Sequence, residues 1–117
     1  MNMVHVTIQT DRFEEEIKFY EEFAELTINQ DMRPAVDLVF LANIEGRTRV
    51  EIIRNPEAGD AGNEFLSIGF ATTNAEETRK DFMARGLQPT RIISPNPHVK
   101  FFYVTDPAGV KVQFIEE

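Results

Sequence analysis

Among the side chains of this sequence, His5 and Glu51 are the pair best suited to hold an ion or move a proton. A neutral imidazole and a carboxylate together suit Zn, Ni, Fe or Mn. Their spacing is echoed later in the chain. Positions 5 and 51 are 46 residues apart, and so are Ser67 and Gln113. Displacing the sequence by 62 positions lays His5 on Ser67 and Glu51 on Gln113. In the same register Thr10 meets Thr72, Glu14 and Glu15 meet Glu76 and Glu77, and Lys18 meets Lys80. Phe40 meets Phe102, Val50 meets Val112 and Ile53 meets Ile115. Two similar units account for this. The first offers an imidazole and an acid, the second a hydroxyl and an amide. The amide oxygen of Gln113 is a workable ligand without charge, and the hydroxyl of Ser67 is a poor one at neutral pH. Two strong ligands are few for a divalent ion, so any metal is expected to be absent or weakly held. The competing reading is a hydrogen-bonded pair, His5 to Glu51, with Ser67 and Gln113 in a similar polar network.

Other residues near these positions have chemistry to offer. By strand parity Arg49 shares the Glu51 face, where it could meet a ligand's carboxylate or neutralise Glu51; it also suits an exposed hairpin. Phe101 and Tyr103 share a face and suit either a ligand pocket or the core of a sheet. His98 follows two prolines and reads as a surface residue. No Ser-His-Asp arrangement and no phosphate-binding glycine loop stands out.

These residues must be positioned by strands. Val4, Val6 and Ile8 alternate with His5, Thr7 and Gln9, which predicts a half-buried strand. Thr10 or Asp11 is expected to cap a helix, and Asp11, with Glu14 three residues on, has the spacing of a capping box. Phe13, Ile17, Tyr20 and Ala24 then give a helix its core stripe, leaving Glu14, Glu15, Glu16, Glu21 and Glu22 for a solvated face. Strands are predicted at 26–32 and 36–44, the latter turning at Glu45-Gly46 into a partner at 47–53. The segment 55–63, with a proline, two glycines and several acids, is the expected linker between modules at 1–54 and 64–117. The second module repeats the plan. It has a strand at 65–72, a helix capped by Thr73 or Asn74 and closed by Gly86 and Leu87, a short strand at 90–93, and a hairpin around Asp106-Pro107-Ala108-Gly109. Each module therefore reads as βαβββ.

The bulk properties narrow the function. The chain has 117 residues and a net charge of −8, so one domain or two small units is expected, with phosphate backbones repelled. A unit of half this length is marginal alone, which points to shared sheets or a second copy. Without cysteine there is no disulfide, thiolate metal site or thiol nucleophile. No basic segment followed by an apolar run opens the sequence, and its apolar stretches are strand-sized, so a cytoplasmic protein that crosses no membrane is expected.

The order and punctuation of these segments resemble the vicinal oxygen chelate superfamily, which includes glyoxalase I, bleomycin-resistance proteins and extradiol dioxygenases. The resemblance rests on His5 to Ile8, on Phe19-Tyr20 late in the helix, and on Val50 to Ile53. In the second module it rests on Phe65 to Phe70, on the helix closing at Gly86, on Phe102 to Gly109, and on Val112 to Phe114. It implies an α+β fold in which two βαβββ modules form a curved, cup-shaped mixed sheet with helices outside, closed within one chain or across a homodimer. It also implies metal positions at His5, Glu51, Ser67 and Gln113, two of which depart from the usual His and Glu. Two functions follow as expectations. One is a binding protein that takes a small organic molecule among Arg49, Ser67, Phe101 and Tyr103, with Phe40 lining the cup. The other is a divalent-metal-dependent glyoxalase-type lyase in which His5, Glu51 and Gln113 are ligands and Glu51 is also the catalytic base.

Overall fold

Alternation of apolar and polar residues builds two sheets, each with one helix packed on its apolar side. The computed structural model describes residues 1–43, 47–62 and 64–117. The Glu45-Gly46 turn and Asn63 of the expected linker lie outside the described residues. Contacts divide the chain into two units, Met1–Ala61 and Gly62–Glu117. Among the described residues no helix is long and apolar enough to cross a membrane.

The first unit runs β1 (His5–Thr10), α1 (Phe13–Glu22), β2 (Thr27–Asp31), β3 (Leu38–Ala42) and β4 (Arg49–Arg54). Its sheet has the order β1-β4-β3-β2. β1 and β4 are parallel, with Thr7 opposite Glu51; β3 is antiparallel to both of its neighbours. Ile8, Val39, Leu41, Val50 and Ile52 are buried, and α1 packs against β4 through a stripe of Phe13, Ile17 and Tyr20. Each such side chain contributes roughly 1.5–3 kcal/mol by leaving water.

Two details of α1 differ from expectation. Its N-cap is Arg12, with no side-chain cap, and the Thr10 hydroxyl accepts from the Arg12 N–H at 3.0 Å. The chain thus turns one residue later than a capping box at Asp11 would require. Glu16 does not belong to the solvated face: it is fully buried, while Glu14, Glu15, Glu21 and Glu22 are exposed. The reason is helical geometry, since position 16 lies three residues after Phe13 and four before Tyr20, on the core stripe.

The second unit runs β5 (Ser67–Thr72), α2 (Ala75–Ala84), β6 (Phe101–Thr105) and β7 (Lys111–Glu116), with sheet order β5-β7-β6. β5 and β7 are parallel, as β1 and β4 are. Phe82, Phe102 and Phe114 form its core; the ring of Phe82 meets that of Phe114 edge-on at 4.9 Å. Asn74 caps α2 by accepting from the Glu77 N–H. Gly86, at φ +95°, closes it, with Leu87 N–H donating to Phe82 O and Gly86 N–H to Met83 O. The predicted strand at 90–93 is reduced to a single bridge, Ile93 to Phe101, plus a bond from Thr90 N–H to Tyr103 O. Pro89 and Pro95 bracket it, and proline cannot extend a ladder. In the 106–109 turn the Asp106 carboxylate accepts from the N–H groups of Ala108 and Val110 at 3.0 and 2.8 Å. These bonds tie β6 to β7.

Electrostatics on the outside of the first unit are local. Arg33 grips the carboxylate of Asp31 through two guanidinium bonds of 2.9 and 2.7 Å. The Arg33 side chain and then its backbone N–H hold the Asp31 carboxyl at a pKa of about 2. Arg54 lowers Glu14 in the same way and also binds Asp37.

Two predictions follow from this architecture. Glu25 sits at φ +57°, a conformation costly for a side chain bearing Cβ, whereas Gly86 occupies open space at positive φ. Urea denaturation should show Glu25→Gly stabilised, and Gly86→Ala destabilised, by roughly 1 kcal/mol each; the same sign for both would contradict the backbone geometry. Carboxyl NMR titration should place the Asp31 midpoint near 2. Because this pKa is depressed by folding, the fork's contribution is present above the ordinary carboxylate range and fades as pH falls toward 2. An Asp31 midpoint near 4, the ordinary carboxylate range, would mean the fork is open in solution.

Candidate functional site

The parallel register of β1 and β4 puts a connected set of polar side chains on the sheet face away from α1. Thr7 stands opposite Glu51, and its hydroxyl donates to Glu51 Oε1 at 2.6 Å. His5, one pleat earlier, places Nε2 3.6 Å from the same oxygen. The Glu51 side chain is 13 % exposed and that of His5 34 %, so the acid is the better covered of the two. Phe40 stands opposite Glu51 on β3, and the His5 ring meets it edge-on at 5.6 Å.

Arg49 belongs to this face but leans the other way. Its guanidinium lies 4.0 Å from the Phe40 ring centroid and donates to Gln30 Oε1 at 3.1 Å, so the side chain crosses β3 to reach β2. Gln30 is available because β2 carries an irregularity between Ile28 and Gln30. Ile28 pairs with the buried Leu41 and Gln30 with Phe40, so residues two apart in sequence serve opposite faces.

The second unit has the same register and different chemistry. Ser67 stands opposite Lys111, and Gln113 stands between Gly69 on β5 and Tyr103 on β6. Ser67 is exposed and Gln113 half-buried. The rings of Phe101 and Tyr103 meet edge-on at 5.6 Å, and Lys111 Nζ lies 4.1 Å from the Tyr103 centroid. Gly69 is the counterpart of Thr7; a Cβ built there would come within 3.1 Å of Gln113 Oε1. Where the first unit has a hydroxyl gripping an acid, the second has an amide lying over a glycine. His98 is exposed in its loop.

The displacement of 62 therefore holds on β1 against β5 and on β4 against β7, but not on the strand between. Glu51 pairs with Phe40 and Gln113 with Tyr103, whereas Phe102 is buried opposite Phe114. The true counterpart of Phe40 is Tyr103, because the connection into β7 is one residue shorter than that into β4. Thr7, Gln30, Lys111 and Gly69 were not singled out by the sequence. The alternation around His5 contained Thr7 all along, and the displacement of 62 connects Arg49 to Lys111 and Thr7 to Gly69.

The donor set can be tested against a divalent ion. Among the described residues no three His, Asp or Glu side chains converge. The first unit supplies one imidazole and one carboxylate, fewer than the three protein ligands of a catalytic zinc site, and one oxygen of that carboxylate already accepts from Thr7. Ser67 and Gln113 are neutral donors of the second unit. Within the first unit alone, His5 and Glu51 are too few to hold a dication tightly.

A family model described as Glyoxalase/Bleomycin resistance protein/Dioxygenase superfamily matches residues 2–114. No curated protein matches the chain by sequence. Among solved structures, the chain is similar to lactoylglutathione lyase from Agrobacterium tumefaciens, with 20% identity, a TM-score of 0.72 and coverage of 96% of this chain and 90% of that one. It is similar to an antibiotic binding protein from a Streptomyces species, with 13% identity, a TM-score of 0.77 and coverage of 99% and 95%. A glyoxalase I variant from Zea mays gives 20% identity and a TM-score of 0.82, covering 99% of this chain and 45% of that one. At these identities the likeness is one of fold.

The Gly69 contact yields a direct test. Gly69→Ala should push the Gln113 carboxamide aside, moving its side-chain amide resonances while stability changes by less than about 0.5 kcal/mol. Unmoved resonances would mean that the amide does not lie over position 69.

Proposed function

Because the chain belongs to the Glyoxalase/Bleomycin resistance protein/Dioxygenase superfamily, we propose that it binds a small organic molecule without depending on a tightly held metal. The observation that carries this reading is the Thr7–Glu51–His5 network. The one acid at a ligand position is engaged by a hydroxyl at 2.6 Å, and its counterpart in the second unit is an amide. The binding groups in this proposal are Arg49 on the first sheet face and Ser67, Gln113, Phe101 and Tyr103 on the second. Each unit by itself combines polar groups with aromatic surface, Arg49 beside Phe40 in the first and Ser67 and Gln113 beside Phe101 and Tyr103 in the second, the usual composition of a small-molecule site. The similarity to an antibiotic binding protein supports the reading. We further propose a homodimer. Met3 and Val4, which lead into β1, and Leu66, which leads into β5, are each more than half exposed, apolar surface of the kind a second copy would cover.

One distance favours a second reading, that of a metal-dependent glyoxalase-type lyase using His5 and Glu51. Two ligands about 2.1 Å from one ion at a tetrahedral angle stand roughly 3.4 Å apart. The His5–Glu51 separation is 3.6 Å. In that reading Glu51 would also be the base, a role Gln113 has no means of sharing.

Calorimetric titration of metal-stripped protein with Ni or Zn separates the two. Weak binding or none is expected. A tight one-to-one site, abolished by His5→Ala and by Glu51→Ala, would overturn the metal-independent reading in favour of the lyase.

A further inference from the structure

We infer that Arg49 is an anion-recognising group and that the ligand is a small organic acid bearing a carboxylate. This inference rests on the small-molecule reading above and narrows the class of ligand.

The cations of the chain are not all engaged alike. In a chain of net charge −8, Lys18, Arg33, Arg54, Arg85 and Lys100 each pair with an Asp or Glu. Arg49 does not. It lies two residues from Glu51 on one sheet face, yet among the described residues it pairs with no carboxylate. Glu51 leans across toward β1, where Thr7 and His5 meet it; Arg49 leans across β3 toward β2, over Phe40 and onto Gln30. The two opposite charges are drawn to opposite sides of β4.

The geometry of the Arg49 fork also suits an anion. A guanidinium has five N–H donors in a planar fork, and Gln30 takes one. The Phe40 ring beneath, at 4.0 Å, and the Gln30 bond at one edge fix the plane of the fork. A half-buried fork so held loses little freedom on binding and matches a carboxylate with two parallel hydrogen bonds. A lysine at this place would offer a point charge instead, which is what Lys111 offers over Tyr103 in the second unit. The Phe40 ring edge and the neighbouring Ile53 supply apolar surface for the rest of such a molecule, since Ile53 shares the face of Arg49 and Glu51.

The test uses the full chain and three probes of one shape: benzoate, neutral benzamide and cationic benzamidine. Calorimetry gives affinity, and NMR follows the Arg49 Nε–H and the Phe40 ring. Benzoate is expected to move both resonances and to bind about tenfold more tightly than benzamide, with benzamidine weakest. Arg49→Gln should bring benzoate down to the level of benzamide. Arg49→Lys, which keeps the charge and loses the fork, should fall between them. If benzamide or benzamidine binds as tightly as benzoate and moves the same resonances, the anion inference fails and the small-molecule reading stands. If none of the three moves them, the inference is overturned and the small-molecule reading loses this face as well. An Arg49→Gln protein that binds benzoate as the parent does, with its amide spectrum intact, would overturn the role given to Arg49.

Discussion

The rest of the structure depends on the parallel pairing of the first strand of each unit with its last. A parallel pair needs a long crossover, and in the first unit the crossover supplies α1, β2 and β3. Once β1 lies beside β4 in register, every second residue of each strand goes beneath the helix and the others come together on the opposite face. The hydrophobic side of this arrangement fixes the register, since a slip of one residue would turn out Ile8 if β1 moved, or Val50 and Ile52 if β4 did. The polar side inherits that register. Thr7 meets Glu51, and Gly69 meets Gln113, because the cores of the two units forbid any other alignment.

Much of this was legible in the sequence, and the reasons are specific. Alternation revealed β1; Asn74 and Gly86 marked the ends of α2; and Asp106-Pro107-Ala108-Gly109 marked a turn whose side chain holds its own backbone. The family itself could be recognised from the order of such signals. Glu16 was hidden among its neighbours, because four exposed glutamates made the fifth look like one more. The matched phenylalanines, Phe40 and Phe102, misled in another way. Matching residue types suggested equivalence, but a connection shorter by one residue sends the two rings to opposite faces.

The contacts that organise the candidate faces were the least legible, because none is local. Arg49 reaches Gln30 across an intervening strand, and only the irregularity in β2 brings Gln30 to the proper side. A strand read by strict alternation would have placed Ile28 and Gln30 together. The hydroxyl of Thr7 matters through what stands opposite, 44 positions away. Sequence periodicity reports which face a residue occupies. It does not report which neighbour on that face the side chain will choose, and here that choice separates the acid from the cation.

The contrast between Thr7 and Gly69 bears on how freely the two halves can exchange chemistry over generations. A glutamate appearing at position 113 would find only a hydrogen atom at the α-carbon across from it on β5, in place of the hydroxyl that Glu51 meets on β1. A threonine appearing first at position 69 would crowd the amide already lying there. The two positions are therefore coupled, each change being better accommodated once the other has occurred. The two halves thus share a backbone register, yet a residue carried from one to the other does best when its partner is carried with it.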